Sequence, residues 1–157
     1  MVNGFGKTLL RHRNGQSMVE FAMILPLLVL FIIGIFDLGR AFFAYIAITN
    51  AAREGTRVAT FWPGKVSISD VQNAVYDEIG TSPMVDPGKI QLITIDCVHP
   101  PATTPYTLGL VHNNTELMNC SKMNPIRVTV EYKFDSIFKF FFPAGLLLHR
   151  SAEMMIP

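Results

Sequence analysis

From Phe21 to Phe36 the chain runs through sixteen residues without a charged or hydrogen-bonding side chain, and twelve of them are Leu, Ile, Val or Phe. Each such residue favours insertion by about 0.3 to 0.6 kcal/mol, so the run as a whole favours a bilayer by roughly 5 kcal/mol. At helical rise it covers about 24 Å, short of a hydrocarbon core of roughly 30 Å. Met18, Val19 and Leu38 complete the span, which brings Glu20 and Asp37 to its edges. Apolar residues then continue at helical spacing, at Leu38, Phe42, Tyr45, Ile46, Ile48, Ala52 and Val58. Gly39 and Gly55 weaken a helix here without ending it. The pattern predicts one helix from about Ser17 to Ala59, membrane-spanning in its first half and amphipathic in its second, stopped by Trp62-Pro63-Gly64. Pro26 removes one backbone donor inside the span, which membrane helices tolerate with a local kink.

The rest of the chain alternates differently. Ser67 to Ile79 reads as a second helix, with Ser67 and Asp70 as a capping box, Ile68, Val71, Val75 and Ile79 as its apolar stripe, and Gly80 closing it. Lys89 to Val98 and Ile126 to Phe134 read as strands. In the second of these, Ile126, Val128, Val130, Tyr132 and Phe134 alternate with Arg127, Thr129, Glu131 and Lys133, the signature of one buried and one wet face. Leu147 to Ile156 reads as a third strand returning to the same sheet. The expected class is α+β: a long N-terminal helix packed on a small antiparallel sheet with one short extra helix. Val98 to Pro125, rich in Pro, Asn and Thr, shows no periodicity and reads as a long loop. Phe134 to Leu148 holds five Phe and three Leu, interrupted by Lys139 and Pro143. It is too broken for a second span. Core or membrane-surface packing and a docking patch for a neighbouring subunit both fit it.

Charge narrows the choices. Half the residues are apolar, 16% are charged and the net charge is +1, so the clustered Lys and Arg of a nucleic-acid footprint are missing. Lys7, Arg11 and Arg13 precede the apolar run with no acidic residue before Glu20, which by the positive-inside rule puts the N-terminus in the cytoplasm and the C-terminal part outside. The expected organisation is a basic cytoplasmic leader (1–15), a transmembrane and amphipathic helix (16–60) and an extracytoplasmic α+β domain (61–157). A cleaved secretory signal would show a small-x-small site soon after the run, whereas here the helical pattern continues. Cys97 and Cys120 lie beyond the span. Either they pair in an oxidising compartment, stapling the intervening loop for roughly 3 kcal/mol, or they are two thiols of a small core. Asp37 and Arg40, three apart, read as an anchoring pair, and Arg53, Glu54 and Arg57 as a solvated helix surface. His12, His99, His112 and His149 show no metal spacing, and no nucleophile elbow, phosphate loop or paired-Cys metal motif occurs. No catalytic residue, cofactor or metal site is predicted.

Gly15 is followed by Gln16, Ser17, Met18, Val19 and Glu20, so a basic leader ends in Gly and a carboxylate stands at the start of an otherwise apolar helix. A carboxylate there is unfavourable without a partner. "GQSMVEFAMILPLLVL" and "GIFDLGRAFFAYIAITNAAREGTRVA" resemble the TadE-like minor pilins, or pseudopilins, of the tight-adherence (Flp) type IV pilus system, from Gly15 to about Thr60. "IRVTVEYKF", the apolar patch after it and "LHRSAEMMIP" are similar to the way such proteins end. The resemblance implies a membrane-embedded prepilin peptidase cutting between Gly15 and Gln16. It also implies that Glu20, fifth in the mature chain, pairs with the new α-amino group of a neighbouring subunit. The implied partners are the lipid bilayer, the peptidase, other pilin-like subunits and the pilus assembly machinery. The implied location is the bacterial inner membrane, single-pass, with pilus association, and the chain's size implies a minor component. The alternative is an uncleaved membrane-anchored accessory or binding module facing the periplasm or cell exterior, acting through the Val98 to Pro125 loop.

Overall fold

The computed structural model describes residues 14–61, 65–97, 109–120, 123–137 and 145–157. The basic leader, the Trp62-Pro63-Gly64 stop, most of the Pro-rich stretch after Val98 and the Phe-rich centre of 138–144 lie outside them. Helix α1 runs from Asn14 to Phe61, straight through Pro26, a few residues longer at each end than its pattern predicts. The chain divides into two compact units between Phe36 and Asp37, so α1 contributes to both.

In the unit beginning at Asp37, α2 (Ile68–Gly80) is followed by a 3-10 turn at Pro87–Lys89 and by β1 (Ile90–Cys97), β2 (Gly109–Leu110), α3 (Asn114–Met118), β3 (Pro125–Phe134) and β4 (Leu146–Met155). The sheet is antiparallel throughout, in the order β2-β1-β3-β4. The α+β class therefore stands. Strand β3 is central because its alternation is the cleanest: Ile126, Val128, Val130, Tyr132 and Phe134 are all buried. Val128 faces Ile95 on one side and Ala152 on the other, which sets the register of the inner face.

The second half of α1 covers that face with small residues. Ala44, Ile48, Ala51, Ala52, Gly55, Thr56 and Ala59 are buried, at spacings of three and four. Leu38, Phe42, Phe43, Tyr45 and Ile46 are exposed instead. The amphipathic reading thus holds for the helix but not for its bulkiest residues. The reason is distance, since a backbone pressed between α2 and β3 leaves no room for large side chains. At Gly55 an added Cβ would lie 2.6 Å from Val75 Cγ2 and 3.3 Å from Val128 Cγ1. Thr56 adds a polar tie, its hydroxyl lying 2.7 Å from the Ala52 carbonyl and 3.2 Å from that of Ala152 on β4.

Helix α2 has its capping box intact: Asp70 N–H donates to Ser67 Oγ at 3.2 Å and Ser67 N–H to the Asp70 carboxylate at 2.9 Å. Gly80 is its last helical residue rather than its cap. Thr81 closes it in right-handed conformation, donating its hydroxyl to the Glu78 carbonyl at 2.7 Å. The stretch read as a loop holds β2 and α3. Asn113 caps α3 by accepting Glu116 N–H at 2.9 Å, and five residues are too few to display a period. A disulfide joins Cys97, at the end of β1, to Cys120, just past α3, with 5.8 Å between their Cα atoms. Asn114 ties the same corner to α2 by accepting Ile68 N–H at 2.9 Å.

On the outer strand β4, Arg150 lies opposite Val130 on the inner face and stacks its guanidinium 4.0 Å from the centre of the Tyr45 ring. Its Nε is buried there with no hydrogen-bond partner among the described residues.

Two outcomes test this packing. Gly55→Ala destabilises the chain by about 1–3 kcal/mol, because Val75 and Val128 are branched at Cβ and cannot swing aside; denaturant unfolding in detergent reads it. Hydrogen bonds from the Ser67 backbone and side chain hold the Asp70 carboxyl below its ordinary value. That contribution is fully present above the unfolded-state value and is lost as pH falls through the lower folded-state value. The Ser67 and Asp70 amide signals of α2 therefore shift in acid in the wild type, and the shift is absent in Asp70→Asn.

Candidate functional site

Every large apolar side chain of α1 from Met18 to Phe36 faces outward except Ile33, which is half-exposed. Met23, at 76% exposure, is as bare as a side chain in an isolated helix. Among the described residues, none in the most apolar stretch is buried. The segment is apolar on all sides because both its faces meet the same surroundings, the signature of a helix made for lipid or for other helices rather than for its own core. By length and composition it can cross a bilayer. One such helix fits a single-pass membrane protein.

The polar residues of this segment sit at its start. Gln16 donates its side-chain amide to Glu20 Oε1 at 3.1 Å, one helical turn on. Glu20 is exposed, and its carboxylate is otherwise presented on a bare apolar surface. Gly15 has nothing among the described residues within 4 Å of where a Cβ would stand. Packing among the described residues therefore gives no reason for glycine at that helical position, where it is less favourable than Ala.

At the other end of the run stands a group that spacing did not reveal. Asp37 is 8% exposed, and its carboxylate accepts the hydroxyl of Ser136 and the backbone N–H of Ile137, the latter at 3.2 Å. Arg40 Nη1 approaches the same carboxylate at 3.4 Å, so the expected pair exists. The larger role of Asp37 is to fasten α1 to the segment that leaves β3, about a hundred residues away in the chain. No local pattern could announce such a partner.

Arg150 apart, the remaining charged groups among the described residues are ordinary surface. Arg57 Nε donates to Glu54 at 2.7 Å on the exposed side of α1. Lys89 lies 3.0 Å from Asp135, which holds its ammonium above the ordinary value. A half-open cleft of about 320 Å³ lies beside Arg40, Lys89, Tyr132 and Phe134. Asp86 and Asp135 line it as well. Among the described residues, no three His, Cys, Asp or Glu side chains are grouped to hold a metal.

Residues 15–57 match the family model described as TadE-like protein. The match opens at Gly15, takes in Gln16, Glu20 and the bare apolar run, and ends two residues past Gly55, so it lies wholly on α1. It points to involvement in the tight-adherence pilus system. No curated protein and no solved structure matches the chain.

Asp37→Ala leaves the Ser136 hydroxyl and the Ile137 N–H without their acceptor and costs about 1–3 kcal/mol of stability, while Asp37→Asn, which keeps one acceptor oxygen, costs less. Limited proteolysis of the detergent-solubilised protein checks this as faster cleavage in the order wild type, Asn, Ala.

Proposed function

We propose, from the premise of a TadE-like match over residues 15–57, that this chain is a non-enzymatic minor pilin or pseudopilin taking part in assembly of a tight-adherence pilus. The observation that carries the reading is a coincidence of three features: the match begins at a glycine that packing does not require, a carboxylate follows five residues later, and the helix bearing both is apolar on every side.

In this reading the helix anchors the chain in the inner membrane with its N-terminus inside and the Asp37–Pro157 unit outside. A prepilin peptidase hydrolyses the bond between Gly15 and Gln16. Glycine suits the step because a bare backbone can approach the protease's catalytic groups closely. The cut leaves a positively charged amino group next to the apolar run. In a helical bundle that amino group pairs with Glu20 of a neighbouring subunit, offsetting two charges that are each unfavourable in a low-dielectric core. The Gln16 amide, which occupies Glu20 in the single chain, is a neutral and weaker partner that the neighbour's ammonium displaces. A disulfide between Cys97 and Cys120 fits an extracytoplasmic domain, where oxidising conditions keep such bonds.

The test is the N-terminal sequence and intact mass of the membrane-extracted protein, made with and without its prepilin peptidase, beside Gly15→Glu and Glu20→Ala. The expected result is an N-terminus at Gln16 that requires both the peptidase and Gly15, with Glu20→Ala still cut but no longer recovered with other pilus subunits. An uncut chain in every case removes the processing step and leaves a permanently anchored accessory protein.

A further inference from the structure

The Asp37–Pro157 unit has two ends, and they differ. At one, β3 and β4 finish at Pro125 and Met155, near the disulfide corner. At the other, Phe134 pairs with Leu146 and Lys133 with Leu147, and the chain continues from Phe134 to Ser136 and Ile137, which are hydrogen-bonded to Asp37. Arg40 belongs to this second end too, its guanidinium 5.5 Å from the centre of the Phe134 ring. Arg40, one helical turn on from Asp37, Ser136 and Ile137 all touch the Asp37 carboxylate.

What they present outward is unusual for a solvated surface. Leu38 is 73% exposed, Ile137 55% and Leu147 58%, with Leu146 also exposed. Single exposed apolar residues are ordinary. Here four share one end, Leu146 on the inner face of β4 beside Phe134 and Leu147 on the outer face beside Lys133, and the Arg40 and Lys133 side chains both reach solvent there. Long cationic side chains next to apolar residues are what the headgroup region of a bilayer accepts, stems in the acyl boundary and charges at the phosphates. Chain connectivity selects this occupant. Asp37 is the residue directly after Phe36, where the apolar run ends, so whatever its carboxylate holds is kept at the level where the helix leaves hydrocarbon.

We propose that this end of the unit is a membrane-surface contact, with Leu38, Ile137, Leu146 and Leu147 in the interfacial layer of the bilayer and Arg40 and Lys133 at its headgroups. The proposal rests on α1 being a membrane span. Asp37 is then a positioning residue: by fastening the exit of β3 to the foot of the helix, it sets the depth at which the apolar end meets lipid.

The experiment uses the full-length chain, native disulfide intact, in lipid nanodiscs holding one copy each. A nitroxide label is attached singly at Leu28→Cys, Ile137→Cys, Leu147→Cys and Met155→Cys, and the ratio of collisions with oxygen to collisions with a water-soluble nickel chelate is read at each. Met155 is the comparison for Leu147, since it lies on the same strand, is equally bare at 62% exposure, and is roughly 26 Å away. The expected result is a high ratio at Leu28, a several-fold higher ratio at Ile137 and Leu147 than at Met155, and partial loss of that difference when Asp37→Ala is added. A high ratio at Leu28 with Ile137 and Leu147 as aqueous as Met155 overturns the surface contact while leaving the span intact, and makes a neighbouring subunit the occupant to test. An aqueous Leu28 overturns the span itself and the proposal with it.

Discussion

The Asp37–Pro157 unit depends on how closely one helix can approach a sheet. Helix α1 passes between α2 and the inner face of β3 near enough that, at Gly55, a single added carbon would collide with valines from both. That closeness decides the composition of the contact: alanines, a glycine and a threonine around the single large side chain of Ile48 on the helix, branched and aromatic side chains on β3. Large residues from the sheet fill the volume that small residues on the helix vacate, as close packing requires. The same constraint turns Phe42, Phe43 and Ile46 outward. The helix thus keeps a bulky apolar surface even where it helps to build a core.

Asp37 is the second fixed point. A carboxylate this buried needs donors, and it finds them on a segment distant in sequence, the hydroxyl of Ser136 and the amide of Ile137. Buried polar groups of this kind specify position more than they add stability. Close packing at Gly55 settles how near the helix lies to the sheet. The carboxylate settles where along the helix the β3 exit is attached.

Much of this architecture is legible in the sequence where the physics is local. The strict alternation from Ile126 to Phe134 announces the central strand, and Ser67 with Asp70 announces the start of α2, because each signal is written within a few residues. The long helix is legible for the same reason. The buried face of α1 is not, because hydrophobicity points to Phe42 and Tyr45, while proximity selects Ala44, Ala51 and Gly55. Helix α3 escapes notice because its only local mark is the Asn113 and Glu116 cap. The partners of Asp37 escape because tertiary hydrogen bonds leave no spacing to read. The candidate processing and assembly residues, Gly15, Gln16 and Glu20, are conspicuous as a pattern, and the fold explains none of them by packing.

The outer strand β4 carries a final implication. Ten residues of sheet edge would ordinarily invite another strand, and a protein gathered at high local density on a membrane is exposed to that hazard more than a dilute one. Arg150 points inward from the middle of this edge and covers Tyr45, with His149 and Glu153 exposed near it. Any strand added alongside would have to fit beside an arginine turned toward the core and two exposed polar side chains, Glu153 already paired with Arg127. The edge of this sheet is therefore a poor template for a further strand, whatever the density of copies around it.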